Sequence, residues 1–210
     1  MSVVIVAPGQ GSQSPGFLES WVAVPAFAEH LAALGDAAGI DLATHGTVSD
    51  ADTIRDTAIA QPLIVAASLV ALEGVLDGSD ARRSALAGIA GHSIGEFAAA
   101  AGAGILSEHD AMHLVAVRGT AMAEASARTA TGMSAVIGGD TEELLGRLEQ
   151  LGLQPANFNG AGQVVVAGEL PALAALTESP PAGARVIPLQ VAGAFHTAWM
   201  GSAVDALRTA

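Results

Sequence analysis

The sequence predicts an α/β protein, a body built on a parallel sheet with a small β-α-β-β-α-β lobe inserted in it. Three observations in the 210 residues lead there. Val3-Val-Ile-Val-Ala7 is a short apolar run without alternation, as expected of a strand buried on both faces of a parallel sheet. Leu86 to Ala101 reads as strand, sharp turn and helix in direct succession. After Thr131-Gly132 the texture changes to short strands and short helices that follow the order of the lobe.

Taken along the chain, the first strand stops at Pro8-Gly-Gln-Gly-Ser-Gln-Ser-Pro-Gly16, a loop by composition. Trp21–Gly39 is amphipathic and predicts one helix. Gln61-Pro62 opens Leu63–Leu76, apolar on nearly every face, with proline tolerated at a first helical position; this predicts a buried helix that ends at Gly78. Leu86–Ala90 is the second strand and Phe97–Ala101 the helix that follows its turn. Ser107-Glu-His-Asp110 forms a capping box for a helix over His109–Ala127, because the serine hydroxyl and the aspartate carboxylate can satisfy first-turn amides. In the lobe, Met133–Ile137, Ala156–Asn159, Gln163–Ala167 and Arg185–Val191 read as strands, and Glu142–Leu151 and Pro171–Leu176 as helices. That order is ferredoxin-like.

Composition narrows the chemistry. Lys and Arg number 8 against 21 Asp and Glu, a formal charge of −13, and all eight cations are Arg. An acidic chain without a basic run is a poor binder of nucleic acid or anionic membranes. The mean hydropathy of +0.48 comes mostly from Ala, and Val186–Val204, one of the two longest uncharged runs, contains Pro188, Gln190 and His196, so no bilayer span is expected. Val3–Ala7 is too short for the core of a signal peptide and lacks a basic flank, which points to a cytoplasmic protein. The absence of Cys excludes disulfides, zinc–thiolate sites, iron–sulfur clusters and a thiol nucleophile.

Gly91-His-Ser93-Ile-Gly95 satisfies the nucleophile-elbow pattern, in which glycines flank a serine because the turn is too tight for side chains on both sides. The pattern is weak alone, and its strand–turn–helix context strengthens it. A serine nucleophile needs a base, and six histidines are available. His109 and His113 lie four apart on a helix, but no H-E-x-x-H frame and no third ligand accompany them, so they and His30 read as surface helix polars and no metal site is expected. His92 adjoins the serine and should point away from its hydroxyl. His196, in Gly193-Ala-Phe-His-Thr-Ala-Trp-Met200, follows a strand-like run and precedes a helix, where active-site residues concentrate. Gly9-Gln-Gly11 lacks the third glycine of a dinucleotide loop, because position 14 is Ser; it reads as a loop that offers backbone N–H groups to an oxyanion. Arg118 interrupts an apolar helix face and needs either an acidic partner or a substrate carboxylate.

Taken together, Gly9-Gln-Gly-Ser-Gln13, Gln61-Pro62, Gly91-His-Ser-Ile-Gly-Glu96, Val117-Arg-Gly119, Asn157-x-Asn159 with Gln163-Val-Val-Val-Ala-Gly168, and Gly193-Ala-Phe-His196 resemble the malonyl-CoA:acyl-carrier-protein transacylase family. The likeness runs in order along the whole chain and is nearest to the free-standing enzymes of actinobacterial fatty-acid synthesis. It implies an α/β-hydrolase-like large subdomain over 1–128 and 192–210 and a ferredoxin-like small one over 129–191. It also implies that a C-terminal part of the family fold, which supplies further strands and a carbonyl that orients the base, is absent from these residues. The resemblance assigns Ser93 as nucleophile and His196 as base, the backbone N–H groups of Gln10 and Ile94 as oxyanion hole, Gln61 as a lining residue, and Arg118 as the ligand of the malonyl carboxylate. Ile94 and Phe195 correspond to residues that accompany malonyl over methylmalonyl in related polyketide acyltransferases, with Phe195 crowding the α-carbon.

The activity implied is transfer of malonyl from malonyl-CoA to the phosphopantetheine thiol of acyl carrier protein, through a malonyl-serine, for fatty-acid or polyketide extension. No cofactor is expected to be bound, since coenzyme A enters as the thioester substrate and phosphopantetheine is carried by the partner. The partners expected are malonyl-CoA and a transiently bound acyl carrier protein, with no nucleic acid and no membrane, and the protein is expected to be a monomer. Arg82-Arg83 is one candidate patch for an acidic carrier. Two rival readings share the elbow: a serine hydrolase or thioesterase of α/β-hydrolase type, and an inactive truncated fragment or scaffold.

Overall fold

A computed structural model of the chain describes residues 2–210. The chain divides into two compact units, the first reaching to Thr120 and the second running from Ala121 to Thr209.

In the first unit β1 (Val3–Ala7) and β2 (Leu86–Gly91) pair in parallel, with Ile5 opposite Ile89 and Ala7 opposite Gly91. The sequence leads one to expect β1 to be covered on both faces, and the structure differs. Ala7 is buried and Ile5 half-buried, whereas Val4 and Val6 are 62% and 74% exposed. Strand pleating sends alternate residues to opposite faces, so Ile5 and Ala7 meet the helices while Val4 and Val6 lie on the uncovered side.

The amphipathic stretch expected as one helix is two, α1 (Glu19–Val22) and α2 (Pro25–Ala38). Pro25 disfavours helical backbone at the residue before it and then starts a new helix at its own first position, and Val24 is accordingly extended. Two short helices were not anticipated, α3 (Leu42–Thr47), capped by the Asp41 side chain, and α5 (Asp80–Ala85), capped by Ser79.

The apolar helix begins earlier than Pro62. Asp56 accepts from the Ala58 N–H and opens α4 (Thr57–Leu76), which places Pro62 inside the helix, where it cannot donate to the Ala58 carbonyl. This 20-residue helix is long and apolar enough to cross a membrane; here Leu63, Ile64, Val65, Leu69 and Val70 are each 1% exposed or less and form the centre of the unit's core with Leu31, Leu34, Leu42, Ile54, Ile94, Met112 and Val115. The elbow leads into α6 (Gly95–Gly102). The capping box opens α7 (Glu108–Ala127) as expected: the Asp110 N–H donates to Ser107 Oγ at 3.0 Å, and the Ser107 hydroxyl donates to the Asp110 carboxylate at 2.7 Å.

His30 departs from its reading as a surface polar. Its side chain is only 17% exposed, and its two ring nitrogens contact Glu73 of α4 and Glu108 of α7. The histidine thus links three helices through one imidazole.

The second unit holds the lobe in the expected order: β3 (Thr131–Gly138), α8 (Thr141–Leu151), β4 (Gln154–Phe158), β5 (Gln163–Glu169), α9 (Leu170–Glu178) and β6 (Ala184–Pro188). The four strands form one antiparallel sheet in the order β4-β5-β3-β6. Val136, Val164 and Val166 meet Leu144, Leu148, Leu173 and Leu176 of the two helices on one side. Met133, Val165 and Ala167 pack on the other side with Met122, Ala125, Ala194 and Phe195. β6 ends at Pro188, earlier than Val191, and residues 189–197 form an irregular segment before a 3₁₀ turn (Ala198–Met200) and α10 (Gly201–Thr209).

Candidate active site

Ser93 sits between β2 and α6 with φ +55°, in the left-handed region that a side chain rarely adopts. The neighbouring glycines are obligatory for steric reasons. A Cβ on Gly91 would lie 2.0 Å from the Gly95 carbonyl carbon, and one on Gly95 would lie 2.4 Å from the Ala7 carbonyl oxygen. All these contacts are with backbone, so no side chain can move aside. The elbow is fastened to β1 by the His92 N–H, which donates to the Ala7 carbonyl at 3.0 Å. After Ser93, the Gly95, Glu96 and Phe97 amides donate to the carbonyls three residues back, and the Ile94 N–H lies at the positive end of the helix dipole.

Arg118 is brought to this serine by α7. One guanidinium nitrogen donates to Ser93 Oγ at 3.2 Å and another to Gln61 Oε1 of α4 at 2.5 Å. Gly119 permits the approach, since a Cβ there would stand 3.0 Å from the Thr57 carbonyl. Burial lowers the Arg118 pKa from its ordinary value, and the charge of Glu96, in the first turn of α6, works against that shift. The guanidinium remains a cation. Gln61 is fully buried. Three of the expected residues, Ser93, Gln61 and Arg118, are therefore gathered around one positive charge.

The loop after β1 lies against the same elements. The Gln10 side chain donates to the Arg55 carbonyl and to Thr57 Oγ1, both at 3.4 Å. Gln13 Oε1 accepts the Gly11 N–H at 2.8 Å while its Nε2 donates to the Ile54 carbonyl at 3.0 Å. Ser12 Oγ donates to the Gly9 carbonyl at 3.0 Å. His92 does turn toward this loop: a Cβ on Gly9 would lie 2.5 Å from its Nδ1. Gln13 and Glu96 carry parts of this arrangement that their sequence motifs alone did not reveal.

In the second unit Phe195 is buried in the apolar cluster beside Ala194 and Met200, and His196 is exposed with φ +61°. Among the described residues only Asp77, Ser93, Ala161 and His196 are non-glycine residues with positive φ. Two of the four are the expected nucleophile and base, and backbone strain of this kind concentrates at functional sites. His109 and His113 are exposed on α7, with His109 Nδ1 3.6 Å from the Asp110 carboxylate. Among the described residues no three His, Asp or Glu side chains are grouped to hold a metal.

Comparison with known proteins places residues 4–210 in register with the acyl transferase domain family. The malonyl CoA-acyl carrier protein transacylase of Mycobacterium tuberculosis is 53% identical over 212 residues, which cover 99% of this chain and 68% of that protein. Its namesake from Escherichia coli is 37% identical over 209 residues, covering 96% and 67%. Among solved structures, MCAT from Mycobacterium tuberculosis superposes with a TM-score of 0.90 at 51% identity, covering 100% of this chain and 69% of that one. A malonyl-transacylase solved in complex with a type II PKS acyl-carrier protein superposes with a TM-score of 0.89 at 32% identity, again over 100% and 69%.

Proposed function

Because the chain belongs to the acyl transferase family, we propose that it transfers a malonyl group from coenzyme A to the phosphopantetheine thiol of an acyl carrier protein by way of an ester on Ser93. The relatives and structures named above carry the same activity in their names. The observation that carries the reading in this chain is the cation at the serine: Arg118, fixed by Gln61, donates to the Ser93 hydroxyl. A half-buried cation beside the acylated oxygen suits an acyl group that ends in a carboxylate, because a guanidinium binds carboxylate through two parallel N–H groups.

The steps then follow. His196 takes the Ser93 proton as Oγ attacks the thioester carbonyl, and the carbonyl oxygen becomes an oxyanion held by the backbone N–H groups of Gln10 and Ile94, each donor worth about 3 kcal/mol. Collapse breaks the C–S bond, the coenzyme A sulfur takes the proton from His196, and malonyl-Ser93 remains. The carrier's thiol gives its proton to His196 and attacks the ester, and the Ser93 oxygen leaves and recovers that proton. Phe195 crowds the α-carbon and favours malonyl over a branched acyl group. The family's large subdomain would take 1–128 with 192–210 and its small one 129–191, although residues 121–128 and 192–209 belong to the same compact unit as the lobe. The protein works as a cytoplasmic monomer without bound cofactor, and a chain of charge −13 has no call on nucleic acid or anionic membrane.

Incubation with malonyl-CoA followed by intact mass measurement tests this directly. The expected result is a gain of about 86 Da, malonyl in place of a proton, absent in Ser93→Ala and lost when holo acyl carrier protein is added. Release of free malonate without labelling of the carrier would make the chain a hydrolase instead.

A further inference from the structure

The backbone of His196 is held in a left-handed conformation, φ +61°, and something must outweigh the cost of keeping a non-glycine residue there. The restraint is visible two residues earlier. Ala194 is fully buried, and both polar groups of its backbone are bound by threonine hydroxyls. Its N–H donates to Thr131 Oγ1 at 3.1 Å, and its carbonyl accepts from the Thr197 hydroxyl at 2.6 Å. Thr131 is the first residue of β3, is itself buried, and stands opposite Glu169 of β5 in the ladder. The irregular segment that carries His196 is tied to the sheet at its start by the Leu189 N–H, which donates to the Met133 carbonyl at 2.9 Å, just past its end by the Ala198 N–H, which donates to Gln154 Oε1 at 3.1 Å, and between them, two residues before the histidine, by the Thr131 hydroxyl. Gly193 completes the fit: a Cβ there would meet Ser126 Oγ of α7 at 2.2 Å, so the segment lies directly against that helix.

We propose that Thr131 is a positioning residue for His196, its hydroxyl fixing the buried Ala194 amide and thereby the turn that presents the imidazole. This rests on the reading of His196 as the general base. Replacing the hydroxyl by a methyl group of the same shape leaves a buried N–H without a partner, which costs more than the bond itself contributes. The segment then moves to find another acceptor, and His196 moves with it. A residue that merely filled space would tolerate the same exchange.

The test compares wild type, Thr131→Val and Thr131→Ser in the 210-residue chain by NMR. In Thr131→Val the Ala194 amide is expected to exchange with solvent about tenfold faster than in wild type, while β5 amides keep their protection. The titration curve of the His196 ring, assigned through His196→Gln, shifts in the same variant. Thr131→Ser restores both, and it restores the rate of Ser93 acylation that Thr131→Val lowers by about tenfold. Unchanged Ala194 exchange in Thr131→Val overturns the proposal, and so does loosening of the whole unit in which Ala194 exchanges no faster than β5. Should Thr131→Val fail to fold, Thr131→Cys, similar in volume but a weak acceptor, takes its place under the same criteria. Exchange and titration do not depend on turnover. If both respond as expected while His196→Ala still acylates Ser93 at the wild-type rate, it is the base assignment that fails and not the Thr131 contact.

Discussion

The guanidinium of Arg118 donates to the hydroxyl of Ser93 across 3.2 Å, and its other arm is locked on Gln61. The serine oxygen and the guanidinium cation thus form one feature. The guanidinium fork is oriented by a side chain that is itself fully buried.

Arg118→Ala should therefore weaken malonyl transfer far more than acetyl transfer. The carboxylate contact is worth roughly 2–3 kcal/mol, about 30–150-fold in kcat/KM for malonyl. Parallel assays with malonyl-CoA and acetyl-CoA check this, and equal losses for the two donors would remove the carboxylate role.

Gln13 ties the Gly9–Gln13 loop to the Ile54 carbonyl with one group and to the Gly11 amide with the other. Gln13→Glu keeps the acceptor for Gly11 but loses the donor to Ile54; Gln13→Ala loses both. If the Gln10 amide belongs to the oxyanion hole, kcat should fall in the order wild type, Glu, Ala, by up to about tenfold per lost bond, with the KM for malonyl-CoA nearly constant. Steady-state kinetics of the pair decides; a change confined to KM would assign the loop to substrate binding.

Two glycines should respond to alanine with opposite signs. At Gly95 the new methyl would press on the Ala7 and Pro8 carbonyls at 2.4 and 2.7 Å, a backbone clash that should cost about 2–3 kcal/mol, or roughly 4–12 °C in Tm for a chain of this size. Gly146 lies inside α8 with nothing within 4 Å of its would-be Cβ, so Gly146→Ala should stabilise by about 0.5–1 kcal/mol. Differential scanning calorimetry of both variants checks the signs.

Acid should weaken the helix starts first. The Thr44 amide and hydroxyl lower the pKa of Asp41, the Thr53 amide and hydroxyl that of Asp50, and the Ser107 hydroxyl that of Asp110, all below the ordinary 3.8. A carboxyl with a lowered native pKa contributes stability that is fully present above its unfolded value and is lost as pH falls through the folded one. Tm should hold from pH 6 to 5 as far as these groups are concerned and fall below about pH 4. The triple variant Asp41→Asn, Asp50→Asn, Asp110→Asn should show a shallower fall between pH 4 and 2, measured by melts at each pH.

Arg82 and Arg83 lie in α5, where Arg82 also donates to the Val75 carbonyl at 3.0 Å and stands 3.8 Å from Asp77. If an acidic carrier docks here, Arg82→Ala with Arg83→Ala should raise the carrier KM several-fold, more strongly at low salt, and leave the rate of Ser93 acylation by malonyl-CoA unchanged. An unaltered carrier KM would discard the patch.

Local patterning was legible where backbone chemistry alone specifies structure. The elbow could be read from Gly91 and Gly95 because the turn excludes Cβ atoms, and the capping box from Ser107 and Asp110 because its bonds join residues three apart. The lobe's order followed from short apolar runs divided by turn residues. Element limits were less legible: Pro25 breaks a stretch whose amphipathic pattern continues across it, and Asp56 starts α4 a full turn and more before Pro62. His30 could not be placed at all, since Glu73 and Glu108 lie 43 and 78 residues away.

By itself the sequence determined which residue types stand at the elbow, that these 210 residues hold no cysteine and no lysine, and which family the ordered motifs resemble. Only the tertiary structure decided that Arg118 spends its donors on Ser93 and Gln61, that Gln13 anchors the Gln10 loop to Ile54, and that Thr131 holds the turn before His196. The reason is the same in each case. A hydrogen bond between residues 25, 57, 41 or 63 positions apart depends on how whole helices and strands pack, and neither spacing nor periodicity along the chain encodes that distance.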